Sequence, residues 1–294
     1  MSRSAPIVSK ERKPRDGVRR VRLKTDGEID ALCEAGRLSA KALRLTGEQV
    51  RPGVSTIELD RFAEEVIRSE GGTPGFKGYG GFPGTICASI NDQVVHGFPS
   101  PDRILHEGDI VSIDTGAVVD GWYGDNAWTF PVGEVGPVIE LLLKTTERAL
   151  YAGMRQAHAG KRLGDIGAAV QQVAEEQGFE VIREYCGHGV GRDMHEAPDV
   201  LNFGRAGRGR RLKPGMVLAI EPMVTAGSRL VHTLPDGWGV VTDDGSYAAH
   251  FEKTVAITSS GEMRVVSTEN LWEEPAMHPE GERSLGIVKP LEYQ

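Results

Sequence analysis

The sequence predicts an α+β protein that is built from two related halves. Two helical patterns are followed by a run of strands, and the same order then recurs farther along the chain. No literal repeat of residues accompanies this doubling, so we expect two similar αβ halves that face one another. With 294 residues, of which 39% are hydrophobic, the chain can bury one large core or two halves of a pseudo-symmetric one.

Two helices are predicted to open the first half. Thr25 and Glu28 have the spacing of a capping box, and apolar residues follow them at helical intervals. A second capping box, formed by Ser55 and Glu58, comes shortly after the chain break at Pro52. We therefore expect one helix to begin after Thr25 and another to begin after Ser55.

Strands are predicted to complete the first half. A loop rich in glycine and aromatic residues spans residues 71–84 and leads into a strand at residues 85–90. Residues 104–131 have the pattern of a hairpin whose turn lies at Asp120 and Gly121. An antiparallel pair of long strands is therefore expected at the centre of this half.

The second half follows the same order. Residues 136–158 and 162–177 have helical patterns, and strands are predicted at residues 217–220, 239–242 and 254–257. These elements supply the second pair of helices and the second group of strands.

Three segments are expected along the chain. Residues 1–24 are basic and polar and are predicted to form a flexible N-terminal extension, either a solvated tail or a contact with ribosomal RNA or an acidic partner. Residues 25–262 should form the folded domain. Residues 263–294, which contain several prolines, are predicted to be an appendage on its surface.

Composition excludes several classes of protein. The net charge of −8 and the pI of about 5.6 argue against DNA or a membrane surface as a general partner. We find no apolar run near the roughly 18 residues that a membrane span needs and no secretory signal pattern. Cys33, Cys87 and Cys186 are widely spaced and predict reduced thiols in a cytoplasmic protein.

Five residues along the chain could each hold a metal ion. They are Asp114, Asp125, His188, Glu221 and Glu252. Four carboxylates and one imidazole carry more negative charge than one divalent ion needs, but two ions that share bridging carboxylates would balance it. The sequence therefore predicts a hydrolase with two metal ions.

The predicted hairpin gives the strongest geometric reason for this site. Its register places Asp114 opposite position 127, so Asp125 should project from the same face at a diagonal distance of roughly 7–8 Å between backbones. The apolar residues before Asp114 indicate a buried strand, in which an unpaired carboxylate would be costly.

The other three candidate ligands also lie in informative surroundings. Glycines flank His188 and allow close approach of the backbone. Glu221 ends an apolar strand and Glu252 precedes another, so each needs a partner if it is buried. His96 and His195 fit two roles, hydrogen bonding to a substrate carbonyl or amine or satisfied polar positions in a loop. The remaining histidines are predicted to be structural: His106, His158, His232, His250 and His278.

These motifs resemble those of the type I methionine aminopeptidases. The resemblance covers about residues 25–262 and implies the pita-bread fold, with antiparallel sheets, helices packed on the outer face and a dinuclear metal site at the centre. The matching stretches are residues 52–56, 89–97, 113–114, 124–125, 187–191, 195–196, 220–223 and 251–252.

The resemblance implies removal of the initiator methionine from nascent polypeptides, with a small second residue preferred. Two divalent ions (Co, Mn, Fe(II) or Zn) would activate a water molecule, and Asp125 and Glu252 would bridge them. Glu221 would be both a ligand and the proton shuttle, and His96 and His195 would contact the substrate. The implied methionine pocket consists of Phe76, Tyr79, Phe82, Cys87, Met194 and Trp238.

The chain departs from the family pattern at two places. Lys253 stands where the family usually has His, which bears on the hydrogen bonds around the metal ligands. Phe76, Phe82 and Met194 replace the Cys, Tyr and Phe of many bacterial members but keep the pocket apolar. Two alternatives remain: an Xaa-Pro aminopeptidase or prolidase with the same ligands, and a non-catalytic binding protein with this fold.

Overall fold

A computed structural model describes residues 20–269, and its α-helices lie at the predicted places. The N-terminal cap of the first helix is as expected, because the Thr25 N–H donates to the Glu28 carboxylate at 2.9 Å. The Glu58 carboxylate likewise accepts from the Ser55 N–H at 2.9 Å. Both predicted helix starts are confirmed. The α-helices of the described residues are α1 (Asp26–Gly47), α2 (Thr56–Ser69), α3 (Pro137–Met154) and α4 (Leu163–Glu176).

Most strands are short, and several were not predicted because two or three residues are too few to show a period. The long predicted hairpin and the predicted strands of the second half are present. The strands are β1 (Thr73–Pro74), β2 (Ile86–Ile90), β3 (Gln93–Val95), β4 (Ile110–Val119), β5 (Trp122–Pro131), β6 (Glu180–Val181), β7 (Gly187–Gly189), β8 (Glu196–Val200), β9 (Val217–Ile220), β10 (Met223–Thr225), β11 (Val231–Thr233), β12 (Val240–Thr242), β13 (Ala248–His250), β14 (Lys253–Ile257) and β15 (Met263–Val265).

The β4–β5 hairpin has the register that the sequence predicts. Asp114 pairs with Ala127, and Asp125 pairs with Gly116. The turn residues Asp120 and Gly121 both have positive φ angles, 49° and 74°, as the tight turns that suit the twist of a hairpin require. Strands β1 and β2 pair with β4, and α1 packs on β4 and β5. This is the first αβ half.

The second half contains the other helix pair and a larger antiparallel sheet. Strands β15, β14, β9, β7 and β8 form a five-stranded sheet, and two three-stranded sheets accompany it. Helices α3 and α4 pack against one another, and α3 also contacts β9, β10 and β13. The architecture of paired helices on antiparallel sheets confirms the predicted α+β fold.

The two halves meet where β5 contacts the chain around β13 and β14. The Glu252 N–H donates to the Ala127 carbonyl at 2.8 Å, and the Thr129 hydroxyl donates to the His250 carbonyl at 2.9 Å. Thr254 donates to the carbonyl of Asp125 at 2.9 Å. These bonds hold residues from distant parts of the sequence side by side.

Packed residues lie just outside both predicted boundaries of the folded domain, and the boundaries at residues 25 and 262 stay predictions. Strand β15 pairs with β14, and Val266 is fully buried. At the other end, Lys24 is buried and its N–H donates to the Gly215 carbonyl at 2.7 Å. The predictions for residues 1–19 and 270–294 concern parts of the chain outside the described residues. Between residues 20 and 269, no helix combines the length and apolar character needed to cross a bilayer.

Candidate metal centre

Asp114 and Asp125 project from one face of the β4–β5 hairpin. They lie on paired strands, two residues apart in register, so the alternation of side chains puts both carboxylates on the same side. Burial raises the pKa of Asp125 to about 7, and burial together with the Asp125 carboxylate raises the pKa of Asp114 well above its ordinary value. The two carboxylates therefore share a desolvated, crowded space.

His188 is placed beside them by the close contact of three strands. A Cβ on Gly187 would lie 2.3 Å from the Ala219 carbonyl oxygen, and a Cβ on Gly189 would lie 2.4 Å from the Ala197 carbonyl oxygen. Both flanking positions must therefore be glycine for β7 to pack this closely. The His188 Nδ1 atom lies 3.0 Å from the Gly189 carbonyl, which leaves Nε2 to face the carboxylates.

The two glutamates complete the group of five predicted ligands. One potential ligand atom from each of Asp125, His188 and Glu252 lies within 4.8 Å of the others. The His188 Nε2 atom is 3.6 Å from Oδ2 of Asp125 and 3.5 Å from Oε1 of Glu221. Burial, Asp125 and Asp114 raise the pKa of Glu221, and the pKa of Glu252 is raised by burial and the same neighbours. The fold thus brings all five together.

The donor set fits divalent cations. Among the described residues, buried carboxylate oxygens of Asp114, Asp125 and Glu252 have no hydrogen-bond partner. Buried polar atoms are nearly always paired, and several unpartnered carboxylates in one place are strongly unfavourable without a cation. Hard carboxylate oxygens with one imidazole suit Mn, Fe(II), Co or Zn.

His96 and His195 lie at the edge of this cluster. The hydroxyl of Tyr79 is 3.2 Å from Nδ1 of His195, and the rings of His195 and His188 have centroids 4.2 Å apart. Burial, with smaller contributions from His188 and His96, lowers the pKa of His195 to about 2. Burial lowers the pKa of His96 to about 4. Both imidazoles are therefore neutral at physiological pH.

His250 belongs to the same site, which corrects its predicted structural role. Its Nε2 atom lies 3.5 Å from Oε2 of Glu221 and has no hydrogen-bond partner among the described residues. The ring is buried, which lowers its pKa to about 3. His250 precedes Glu252 by two residues, and this spacing could have indicated that the two side chains share a face.

A cluster of packed apolar side chains borders the metal-ligand group and includes all six residues predicted for the methionine pocket. Phe76, Phe82, Cys87 and Met194 are buried together, and Tyr79 and Trp238 pack against them. Phe82 and Trp238 make an edge contact with ring centroids 5.3 Å apart. Two further residues, Phe98 and Tyr123, pack on the same group and were not predicted.

Comparison with known proteins agrees with this geometry. The sequence profile of metallopeptidase family M24 matches residues 30–259. Methionine aminopeptidase 1 of Bacillus subtilis is 51% identical over 238 residues, which cover 81% of this chain and 96% of that protein.

Solved structures show the same fold. The crystal structure of methionine aminopeptidase from Thermotoga maritima has a TM-score of 0.83 and 42% identity, and the match covers 85% of this chain and 100% of that one. An Xaa-Pro dipeptidase from Bacillus anthracis is less similar, with a TM-score of 0.66 and 26% identity, and only 61% of its chain is covered.

Proposed function

The chain belongs to the methionine aminopeptidases of metallopeptidase family M24, and from this premise we propose that it removes the initiator methionine from nascent polypeptides with two divalent metal ions. The observation that carries the proposal is the group of four buried or half-buried carboxylates and one buried histidine beside a cluster of apolar side chains. A preference for a small second residue, taken from the resemblance to the type I enzymes, is part of the same proposal.

Asp114, Asp125, His188, Glu221 and Glu252 would hold the ions. Bound divalent ions supply Lewis acidity, which polarises a scissile carbonyl and acidifies a water molecule near neutral pH. In this proposal Asp125 and Glu252 are the shared ligands. One buried carboxylate oxygen on each of them has no hydrogen-bond partner among the described residues, which leaves it free for a cation and supports that role.

Glu221 would move the proton in the reaction. Its carboxylate lies between the Nε2 atoms of His188 and His250, each 3.5 Å from a different oxygen. Burial and the neighbouring carboxylates raise its pKa, which favours a group that accepts a proton from the attacking water and returns it to the leaving amine. We therefore assign the general base and acid to this side chain.

His195 and His96 would stabilise charge on the substrate carbonyl. If the Tyr79 hydroxyl donates to Nδ1 of His195, the ring proton is on Nε2, where it can be donated to the substrate. Burial keeps both rings neutral, so each can act as a hydrogen-bond donor without a net charge.

The pocket formed by Phe76, Tyr79, Phe82, Cys87, Met194 and Trp238 would receive the methionine side chain. Its three departures from the common bacterial residues are all apolar and buried. A flexible thioether packs well against aromatic rings and another methionine, which favours a methionine substrate over a polar one.

A peptide assay tests the proposed function. Metal-stripped protein resupplied with Mn, Fe(II), Co or Zn is expected to release methionine from Met-Ala-Ser, to cleave Met-Leu-Ser poorly and to leave Ala-Pro-Ala intact. Cleavage of Ala-Pro-Ala would favour the Xaa-Pro alternative. Inactivity with every metal would favour the non-catalytic alternative.

We also propose a contact with ribosomal RNA in the cytoplasm, where nascent chains emerge. The basic segment of residues 1–24 enters the described structure beside an exposed basic loop, because Lys24 is hydrogen-bonded to Gly215. Clustered arginines suit phosphate groups. The exposed basic residues of this loop are Arg205, Arg208, Arg210, Arg211 and Lys213.

Deletion of residues 1–20 is expected to leave cleavage of Met-Ala-Ser unchanged and to weaken co-sedimentation with ribosomes. Among the described residues, Val21 packs on the core and Lys24 pairs with Glu196, and the deletion retains both contacts. Loss of peptide cleavage would mean that the tail is part of the site. Ribosome binding that is unchanged at low and high salt would contradict the RNA contact.

A further inference from the structure

A buried lysine lies directly behind the metal centre. Lys253 follows the proposed ligand Glu252, and it is among the largest fully buried side chains of the described residues. Its Nζ atom donates to Oδ1 of Asn126 at 3.2 Å and to the carbonyl of Ser267 at 3.0 Å. An amine and an ammonium group can each supply these two hydrogen bonds, so the arrangement holds in either protonation state.

This contact is the first of a series of hydrogen bonds, the hydrogen-bond network, that runs from Lys253 to Thr115. Lys253 donates to Oδ1 of Asn126, and Nδ2 of Asn126 donates to the Ser39 hydroxyl at 2.7 Å. The Ser39 hydroxyl then donates to the Thr115 carbonyl at 2.6 Å. All four residues are buried, and each hydrogen bond joins a donor and an acceptor that no other bond of the series uses.

Three residues of this hydrogen-bond network directly follow three proposed metal ligands in the sequence. Thr115 follows Asp114, Asn126 follows Asp125, and Lys253 follows Glu252. Successive side chains of an extended strand point to opposite faces, so Asn126 and Lys253 point away from the carboxylates that precede them. The hydrogen-bond network therefore joins the three ligand-bearing segments to one another and, through Ser39, to α1. It lies behind the metal centre.

We propose that Lys253 is a positioning residue that fixes the three carboxylate ligands through Asn126 and Ser39. The inference rests on the proposed ligand assignment. The hydrogen bonds from β14 to β5 and from α1 to β4 hold Glu252, Asp125 and Asp114 at constant relative positions. Backbone pairing holds the strands themselves, so without this support mutual repulsion of the carboxylates would loosen the positions of their side chains before a cation binds. Hydrogen bonds behind a metal site typically change metal affinity by about 10- to 100-fold.

The test is isothermal titration of Mn²⁺ into metal-stripped protein. Lys253→Met, which keeps the apolar stem but removes the donor, is expected to weaken Mn²⁺ binding by about 10- to 100-fold. Lys253→His restores one ring N–H donor and should recover part of this loss. Wild-type affinity in Lys253→Met, or a His variant as weak as the Met variant, would overturn the proposal.

A double-mutant cycle separates the network from a general loss of stability. Ser39→Ala breaks the other end of the hydrogen-bond network without changing a residue of a ligand-bearing strand, so its effect on Mn²⁺ affinity should not multiply with that of Lys253→Met. Independent, multiplicative effects would contradict a single network. Thr146→Val is the matched control, because this buried hydroxyl bonds only within α3 at 2.8 Å to Leu142, and it should leave the Mn²⁺ affinity unchanged.

Titration of the wild-type protein distinguishes a failure of the proposed role of Lys253 from a failure of the proposed metal centre. Wild-type protein that binds Mn²⁺ and releases methionine, together with an unaffected Lys253→Met variant, would overturn only the role of Lys253. Wild-type protein that binds none of Mn²⁺, Fe²⁺, Co²⁺ and Zn²⁺ would overturn the proposed metal centre itself.

Discussion

Glu221→Ala is expected to lower kcat for Met-Ala-Ser by at least about 10²- to 10⁴-fold, the range typical of a general base. The loss should lie at the upper end, because Glu221 is also a proposed metal ligand. The fold should remain intact, since the side chain contributes unfavourable desolvation and only imidazole contacts at 3.5 Å. Rates at saturating metal and circular dichroism spectra would measure both effects.

A matched variant controls for the loss of a partly buried glutamate. Glu147 lies in α3, outside the metal centre, and burial raises its pKa as well. Glu147→Ala should therefore keep the wild-type kcat. Near-normal turnover by Glu221→Ala would refute the proton-transfer assignment, whereas equal losses in the two variants would indicate a general effect of stability.

Asp125→Asn is expected to abolish metal binding and activity while it stabilises the metal-free protein above pH 7. In the folded, metal-free state the pKa of Asp125 is raised from an ordinary 3.8 to about 7 by burial. The folded state therefore binds a proton more tightly than the unfolded state. The stability that proton binding to Asp125 contributes is fully present below pH 3.8 and is lost as the pH rises through about 7. The Asn side chain of the variant is neutral and does not titrate, so the variant does not lose this stability as the pH rises.

The measurement compares Tm values of metal-stripped proteins at pH 5 and pH 8, together with metal content by elemental analysis. Wild-type Tm should fall between the two pH values, and added Mn²⁺ should restore it at pH 8, since a ligand that binds only the folded state stabilises it. Asp125→Asn should show a smaller fall and no response to Mn²⁺. A variant that falls as steeply as wild type would contradict the prediction.

Asp60→Asn provides a contrast of opposite sign. Burial raises the pKa of Asp60 as it does that of Asp125, but the Oδ1 atom of Asp60 accepts hydrogen bonds that oppose this shift, from the Ile86 N–H at 3.0 Å and the Thr85 N–H at 2.6 Å. Replacement by an amide weakens these charge-assisted bonds, so Tm should fall while the metal content remains that of wild type. The comparison isolates the unpartnered state of Asp125 as the cause of the expected stabilisation.

Local features of the sequence predicted much of the fold because their geometry depends on neighbouring residues. The capping residues Thr25 and Ser55 mark helix starts, and the turn at Asp120 and Gly121 sets the hairpin register. Once that register is known, the diagonal arrangement of Asp114 and Asp125 follows from strand geometry alone. These features extend over about 15 residues or fewer, so long-range packing does not alter them.

Other features depend on contacts between distant segments and could not be read from local patterns. His250 is predicted to be structural, and only the pairing of β13 with β10, which follows Glu221, places it against that carboxylate. Residues 263–265 have no strong pattern, yet they pair with β14 as an edge strand. In both cases the contacting residues come from different parts of the sequence, and their separation along the sequence does not show that they are close in space.

Sequence patterns predicted the family, five candidate ligands and the hairpin that carries two of them. The tertiary structure alone decided which residues surround them. Lys253 was recognised in the sequence only as a departure from the family pattern, and its hydrogen bonds to Asn126 and Ser267 appear once β5, β14 and the segment after β15 are packed. The physical reason is that a strand specifies which face a side chain occupies, whereas the partner on that face is supplied by another part of the chain.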